Sequence, residues 1–294
     1  MDIRLAVPED AEAVAALRRV VFPYLVMAPG QIAYRLTSRT PDENYEAWVA
    51  TDGEAIVGWA SGGRNTWTSE AGVSSLDAYV HPSWRGRGLG AELVNVAQNH
   101  LAGMAVIRTF VTAGSVEFAR RLGYEPTRQV HYSGAELHSL PEPPETPKDL
   151  ELVAIADVDP YVAYLADTIA GLDEPGDSPN DAVAFEDWLK DVWHSPALDK
   201  NLSIGAMAGD EMVSFTAVER DGDRVWSGMT GTIPAYRGRG LAKVVKSEAL
   251  RRAVADGVAG AFTSNDDRNQ PMLAVNDWLG YRRVATHTGL TRTL

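Results

Sequence analysis

The sequence predicts a duplicated α/β protein in which two domains of similar size each alternate strands with helices. The chain has 294 residues, and at roughly 150 residues per domain this gives room for two domains. The string Arg-Gly-Arg-Gly-Leu occurs at 85–89 and again, about half a chain length later, at 237–241. A second string, Leu-Gly-Tyr, follows each copy, at 122–124 and 279–281. Two ordered repeats at nearly the same separation indicate an internal duplication.

A proline-rich segment marks the boundary between the two predicted domains. Four prolines stand within residues 141–147, and this composition is typical of an extended linker. We therefore predict a first domain at 1–140, a linker at 141–147 and a second domain at 148–294.

Hydrophobic periodicity and turn signals predict the elements of the first domain. A short strand at 3–7 runs into Pro8-Glu9-Asp10, a helix-start signal, and the helix continues to residue 19 with Val14 and Leu17 facing inward. Asp52-Gly53 predicts a hairpin turn. The other predicted elements are strands at 47–50 and 55–60, a strand at 76–80, a helix at 88–101, a strand at 106–111, a helix at 116–122 and a strand at 129–132.

The second domain repeats this order of elements. Gly209-Asp210 predicts the turn of a hairpin between strands at 202–208 and 212–218. The elements that follow are a strand at 225–233, a helix at 241–255, a strand at 259–263, a helix at 271–279 and a strand at 283–288. A strand, a glycine-rich turn and a long helix therefore recur at the same place in both halves.

Composition and charge exclude several classes of function. Lys and Arg number 27 against 40 Asp and Glu, and a net charge of -13 argues against binding to nucleic acid or to an anionic membrane. The chain has no cysteine, which excludes disulfides, thiolate metal sites and a cysteine nucleophile. The six histidines are scattered without the spacing of metal ligands, so no metal site is expected. No long apolar run and no apolar leader segment stands out, so we expect a cytoplasmic protein.

Each glycine-rich turn has the makings of an anion site. The first amide N–H groups of a helix lack partners inside the helix, and glycines let a ligand approach them closely. Arginines at 85, 87, 237 and 239 could add charge-assisted hydrogen bonds to phosphate oxygens. The alternative is a tight strand-to-helix turn with solvated arginines. A Walker loop is excluded, because no Gly-Lys-Ser/Thr follows either turn.

The pattern Arg-x-x-Gly-x-Gly/Ala between a strand and a helix, with a later Leu-Gly-Tyr, resembles the GNAT superfamily of acyl-CoA-dependent N-acyltransferases. The resemblance covers both halves of the chain, and the predicted architecture is similar to that of tandem members such as the mycothiol synthases. It implies two tandem domains, each a mixed, mostly antiparallel sheet flanked by helices. It also implies acetyl-CoA as cosubstrate, with its pyrophosphate on the glycine loop and its pantetheine arm along the preceding strand.

The resemblance assigns the acetyl-CoA contacts residue by residue. In the second domain these are Thr232, Arg237, Gly238, Arg239, Gly240, Leu241 and Ala242. In the first domain they are Val80, Arg85, Gly86, Arg87, Gly88, Leu89 and Gly90.

Two family positions differ between the halves. Many family members have an Asn after the fifth strand and, seven residues later, a Tyr that protonates the leaving thiolate. Asn269 matches the Asn and Asn276 replaces the Tyr, whereas the first domain has Thr112 and Ala119. Asn276 has no proton to donate at neutral pH, but a CoA thiolate is a tolerable leaving group that water can protonate. The alternative role for both asparagines is helix capping and surface solvation.

The general base is the least determined part of the site. Glu219, near the end of a strand, is a candidate catalytic residue, and the alternative is a solvated carboxylate beside a turn. Trp188, Trp193 and His194 lie in the segment that walls the acceptor pocket in the family, and the alternative is that they are core residues.

The sequence therefore predicts an N-acetyltransferase that moves an acetyl group from acetyl-CoA to a primary amine of a small molecule, with the chemistry in the second domain. The alternative is a non-catalytic module that binds and senses acyl-CoA. Residues 149–199 contain thirteen acidic residues and one lysine, so we expect a cationic acceptor. Asp173, Glu174 and Asp177 are the candidates to line an acidic pocket mouth.

Overall fold

The computed structural model describes residues 1–38 and 40–294. The chain packs into two compact units: unit 1 comprises Met1–Val130 and Thr286–Leu294, and unit 2 comprises His131–Ala285. Unit 2 includes the proline-rich segment 141–147, and unit 1 includes the C-terminal residues. The predicted domain limits stay a prediction, since packing shows where the chain is compact and not where a duplicated segment begins.

Unit 1 is a six-stranded sheet with helices on both faces. Its strands are β1 (Asp2–Leu5), β2 (Glu46–Asp52), β3 (Ala55–Arg64), β4 (Val73–Val80), β5 (Val106–Thr112) and the final part of β12 (Arg282–Thr293), in that order across the sheet. Its helices are α1 (Ala11–Val21), α2 (Pro29–Thr37), α3 (Leu89–His100) and α4 (Val116–Arg121). Strand pairing is antiparallel except between β4 and β5.

Unit 2 repeats this architecture. Its strands follow the order of the last part of β6 (Glu125–Glu136), β11 (Gly260–Asp266), β10 (Arg224–Thr232), β9 (Glu211–Asp221), β8 (Ile204–Ala208) and β7 (Glu151–Ala154). Its helices are α5 (Pro160–Gly171), α6 (Phe185–Trp188), α7 (Leu241–Ala255) and α8 (Gln270–Trp278). The strands β10 and β11 pair in parallel, and β7 to β10 pair antiparallel. The mixed, mostly antiparallel fold class predicted from the sequence is confirmed.

The core of each unit follows the predicted periodicity. Val14 and Leu17 are buried on α1, and Leu89 and Leu93 are buried on α3, against opposite faces of the unit 1 sheet. In unit 2 the apolar side of α7 packs on the sheet through residues such as Val245. Each glycine-rich turn is thereby held at the end of a central strand and at the start of a buried helix.

Four elements were missing from the sequence prediction: α2, β7, α5 and α6. Helix α5 had a start signal, since Asp159 accepts a hydrogen bond from the Tyr161 amide at 2.8 Å and Pro160 occupies the first helical position. Its stripe of alanines buries little apolar surface, so its periodicity is weak. The predicted helix at 8–19 begins as a 3₁₀ turn at Pro8–Asp10, with the α-helix from Ala11 to Val21.

Candidate active site

Both glycine loops adopt the same backbone conformation. Gly238 and Gly240 have φ angles of 78° and 75°, and Gly86 and Gly88 have 75° and 87°. Nothing lies within 4 Å of a Cβ built on Gly238 or Gly240, so the requirement for glycine there comes from the left-handed backbone. Within the described part of the chain, the amide N–H groups of residues 238–242 form no hydrogen bond. They stand at the start of α7, where the helix dipole favours an anion.

The first arginine of each loop turns back onto its strand. Arg237 Nε donates to the Thr232 carbonyl at 2.9 Å, and Arg85 Nε donates to the Val80 carbonyl at 3.1 Å. The outer nitrogens of Arg237 form a bidentate pair with Asp173, in which Nη2 lies 3.0 Å from Oδ1. This hydrogen bonding holds the pKa of Asp173 below its usual range. Arg237 is therefore held at the loop by a backbone carbonyl and a carboxylate.

The second arginine differs between the copies. Both carboxylate oxygens of Asp149 accept from Arg239 Nη2 at 2.8 Å, and the Arg239 guanidinium also lies over the Tyr236 ring. Arg87 instead donates to the Ser83 carbonyl at 3.1 Å. Arg239 does not line the cleft described next, so its place is beside the loop rather than inside the cleft.

A cleft of about 920 Å³ opens in unit 2 between β10 and β11. Parallel pairing of these strands ends with Trp226 and Phe262, after which the strands diverge. A β-bulge interrupts the pairing of β10 with β9 between Ser227 and Thr230. Among the described residues, the edge of β10 beyond Trp226 that faces away from β9 has no strand partner. This free edge leads from the closed end of the cleft to the glycine loop.

Most of the predicted unit 2 residues line this cleft. They are Glu219, Thr232, Arg237, Gly238, Gly240, Leu241, Ala242 and Asn269. Thr232 places its hydroxyl 2.8 Å from Ser214 Oγ on β9, and Asn269 Oδ1 caps α8 by accepting from the Met272 amide at 3.3 Å. The capping role considered for Asn269 is thus present, and its side chain also lies at the cleft wall.

Asn276 lies outside the cleft. Its side chain is buried, and its Nδ2 donates to Asn265 Oδ1 at 2.6 Å, while Asn265 itself lines the cleft. The Oδ1 atom of Asn276 is buried without a hydrogen-bond partner among the described residues. The surface solvation considered for Asn276 is therefore wrong. Asn276 is linked to the cleft indirectly, through its hydrogen bond to Asn265.

Glu219 belongs to a strand and not to a turn. It pairs in register with Trp226 across β9 and β10, and it is half-buried at the cleft wall beside the bulge. Trp188 is buried and donates to Asp167 at 2.7 Å, and it does not line this cleft. His194 and Trp193 line a separate cleft of about 630 Å³.

Several carboxylates of the acid-rich segment 149–199 have hydrogen-bond or ion-pair partners within unit 2. Asp173 is paired with Arg237, and Glu174 accepts from Asn180 Nδ2 at 3.2 Å. Asp167 is buried against Trp188, and burial raises its pKa. Asp173 and Glu174 both line the cleft, as predicted, whereas Asp177 is not among the lining residues. The expectation that Asp173 is free there is wrong, because its carboxylate is paired with Arg237.

A buried lysine that the sequence analysis missed lies at the closed end of the cleft. Lys246 is 1% exposed, lines the cleft and donates from Nζ to Ser227 Oγ at 2.7 Å. Burial lowers the pKa of Lys246 to about 7. The sequence held one weak signal, since Val245, Ala249 and Leu250 make the surrounding helix surface apolar.

The buried amine should reduce the stability of unit 2 at low pH. Because its folded pKa of about 7 lies below its unfolded value of 10.5, the cost is full below pH 7 and fades as the pH rises towards 10.5. We expect Lys246→Met to raise the free energy of unfolding at pH 6 by about 1–4 kcal/mol, with a smaller gain at pH 9.5. Urea denaturation at both pH values measures this, and an equal change at both would contradict it. Lys243→Met, on the same helix, is the control.

The same positions of unit 1 are apolar. Leu76 follows the last parallel pair of β4 and β5, as Ser227 follows that of β10 and β11. Val94 stands five residues after the start of α3, as Lys246 does in α7. The pairing of β3 with β4 runs without a register shift, so unit 1 lacks the bulge as well as the lysine.

Two further features concern metals and membranes. Across residues 1–38 and 40–294, no group of three or more His, Asp or Glu side chains is placed to hold a metal ion. In the same described residues, no helix is long and apolar enough to cross a membrane.

Comparison with known proteins identifies the class. Two family models described as acetyltransferase (GNAT) domain match residues 43–126 and 150–262, which together make up about two thirds of the chain. The chain belongs to the GNAT acetyltransferases, with two such domains in tandem, and it is an acyltransferase enzyme. Members of this family use acetyl-CoA as the acyl donor.

Individual relatives are distant but cover nearly the whole chain. A mycothiol acetyltransferase of a Nocardioides species is 25% identical over 280 residues, which is 89% of this chain and 90% of the relative. A tandem GNAT protein from the clavulanic acid biosynthesis pathway has a TM-score of 0.74 at 18% identity, covering 99% of this chain and 98% of its own. A GCN5-related N-acetyltransferase from Sphaerobacter thermophilus has a TM-score of 0.73 at 20% identity, covering 99% and 95%.

Proposed function

We propose that unit 2 transfers an acetyl group from acetyl-CoA to a primary amine of a small molecule by direct attack on the thioester. The observation that carries this proposal is the cleft that joins a glycine loop with unpaired amides to the free edge of β10. The family membership and the relative named as a mycothiol acetyltransferase support acetyl transfer.

The residues of the cleft fit an acyl-CoA. The amides of residues 238–242 and the Arg237 guanidinium suit a pyrophosphate, because hydrogen bonds from charged donors to phosphate oxygens are short and strong. The free edge of β10 offers amide and carbonyl groups to the amides of a pantetheine arm, as one strand offers them to another. Acetyl-CoA supplies the activated acyl group, a thioester carbonyl.

The chain's own residues then orient the acceptor and move its proton. Glu219 lies at the cleft wall and pairs in register with Trp226, next to the bulge where the strands diverge. A carboxylate there can accept the proton of the attacking amine, directly or through one water. We propose Glu219 as that base, with Asn269 and Asn265 contributing polar groups to the same wall.

The alternative is a non-catalytic module that binds and senses acyl-CoA. It is favoured by Asn276, which stands where many family members have a proton-donating Tyr and which has no acidic proton. An assay of free thiol release from acetyl-CoA with a panel of primary amines separates the two functions. We expect multiple turnovers with at least one amine, and saturable binding of acetyl-CoA without thiol release would support the sensor instead.

We propose a cationic acceptor, such as a polyamine-like or aminoglycoside-like amine. Glu174, in the acid-rich segment 149–199, and Glu219 on β9 both lie at the cleft wall, where they would raise the local concentration of a cation. We expect kcat/KM for a polycationic amine to fall about tenfold between low salt and ~0.5 M salt, where exposed charges are screened within a few ångströms. A neutral amine is the control, and an equal salt dependence for both would contradict the proposal.

A further inference from the structure

The Nζ atom of Lys246 has no role in the function proposed so far. It is buried, it lines the cleft, and it donates to Ser227 Oγ at 2.7 Å. Ser227 is also tied to the neighbouring strand, since Thr263 Oγ1 donates to its carbonyl at 2.8 Å. The amine is therefore held at the point where β10 and β11 begin to diverge, which is the closed end of the cleft.

This position is at the far end of the cleft from the glycine loop. The free edge of β10 from Gly228 to Thr232 separates the two. At about 3.3 Å per residue, that stretch is on the order of 13 Å long. An acyl-CoA with its pyrophosphate on the loop and its arm along this edge would bring its thioester towards Lys246.

The fold does not require an amine here. Unit 1 builds the same strand pair and helix with Leu76 and Val94 at the two matching positions, and both are buried in an apolar core. Burial of an ionisable amine without a charged partner is unfavourable. The pair of Ser227 and Lys246 therefore distinguishes unit 2 from unit 1 at these two positions.

We infer that Lys246 is a catalytic residue whose ammonium group donates a proton to the leaving CoA thiolate. This inference rests on the proposed function. Asn276, at the position predicted for the proton donor, has no acidic proton and does not line the cleft. The proton for the leaving thiolate would therefore come from Lys246 on α7, and not from the position of Asn276 on α8.

The step balances without a further reactant. The amine lone pair forms the C–N bond to the thioester carbon, and the amine loses a proton to the base. The C–S bond then breaks with its electron pair going to sulfur, and sulfur takes a proton from Lys246 Nζ, which becomes a neutral amine. Lys246 regains a proton from solvent through the Ser227 hydroxyl, and the base returns its own to solvent.

The donor and the base would act from opposite faces of the sheet. Glu219 and Trp226 are register partners, so their side chains lie on one face. Ser227 is the next residue of β10 and points to the other face, where it meets Lys246 on α7. An amine approaching from the Glu219 face would have its leaving thiolate on the side of Lys246.

The protonation of Lys246 suits this role. The Tyr281 ring faces Nζ with its centroid at 5.6 Å, and burial raises the pKa of that phenol, so it stays neutral. Nζ donates to the neutral Ser227 hydroxyl, and burial lowers the pKa of Lys246 to about 7. A free thiol has a pKa of about 8.5, so proton transfer from Lys246 to a thiolate is favourable. The acid form is present below about pH 7 and is lost as the pH rises through that value.

The test compares Lys246→Met and Lys246→Arg with Lys243→Met, which alters a lysine one turn earlier on α7. We expect both Lys246 variants to lower kcat at least about 100-fold, with KM and calorimetric CoA affinity unchanged. The alkaline limb of the kcat profile should disappear in both variants. NMR of ε-¹³C-lysine protein, with Lys246→Met identifying the resonance, should show Nζ titrating near pH 7 in the free enzyme. Lys243→Met should match the wild type.

Each other outcome overturns a defined part of the inference. Activity retained by Lys246→Arg would show that the charge suffices, and activity retained by Lys246→Met would remove any catalytic role. An Nζ that titrates near its ordinary value would contradict the donor assignment independently of turnover. If the wild type binds acetyl-CoA but turns over no amine, the proposed function fails and the donor role fails with it. If the wild type turns over an amine and the Lys246 variants are equally active, only the donor role fails.

Discussion

Replacing Gly240 by tryptophan is expected to abolish turnover of acetyl-CoA. Gly240 has a φ angle of 75°, and an L-residue in the left-handed region costs roughly 1–2 kcal/mol. The indole would also cover the unpaired amides at the start of α7, which are the proposed pyrophosphate contacts. We expect kcat/KM to fall at least about 1,000-fold, because the loss combines several charge-assisted hydrogen bonds of about 1.5–3 kcal/mol each.

The matched control is Gly88→Trp in unit 1, where the loop has the same conformation. Unit 1 lacks the bulge, and Val94 stands where unit 2 has Lys246, so most of the turnover should remain if the protein folds. Circular dichroism and thermal unfolding establish folding for both variants. The opposite result, with activity lost in Gly88→Trp and retained in Gly240→Trp, would move the active site to unit 1.

Replacing Arg237 by glutamate is expected to weaken CoA binding about 10- to 100-fold. The change removes the hydrogen bond to the Thr232 carbonyl that holds the arginine at the loop, and it places a second carboxylate beside Asp173. Loss of one charge-assisted hydrogen bond costs about 1.5–3 kcal/mol, and repulsion of the pyrophosphate adds to this. Calorimetric titration with CoA measures the change.

Asp173→Asn tests separately how the carboxylate paired with Arg237 affects CoA binding. It leaves Arg237 in place but removes the carboxylate that competes with phosphate for the guanidinium. We expect CoA to bind a few-fold more tightly to this variant. Unchanged affinity in Arg237→Glu would refute the assignment of the loop, and weaker binding in Asp173→Asn would show that the ion pair positions the arginine for the ligand.

Local chemistry made much of the fold predictable. Residues close together in sequence determine three features: the turn at Gly238 and Gly240, the hairpin at Gly209-Asp210 and the buried face of α3. Helix α5 was missed because its small side chains give a weak periodic pattern. The place of the C-terminal strand could not be predicted, since the pairing of β12 with β5 joins residues far apart in sequence.

In the candidate site too, features made by contiguous residues could be predicted, and features made by distant segments could not. The glycine loops are contiguous in sequence, so their shape could be predicted together with their position. Lys246 could not be placed, because its environment is made by Ser227, Thr263 and Tyr281 from three other segments. The pairing of Asp173 with Arg237 likewise depends on tertiary structure, and it corrects an interpretation based on net charge alone.

The central claim is that this chain transfers an acetyl group to nitrogen, and the most direct measurement follows the acetyl group itself. Wild-type protein is incubated with [1-¹³C]acetyl-CoA and a panel of primary amines, and the acceptors are then analysed by mass spectrometry and ¹³C NMR. We predict a labelled amide on at least one amine, with one CoA thiol released for each acetyl group transferred. Label that remains on CoA, or that is found only as acetate with no acylated amine, would contradict the account.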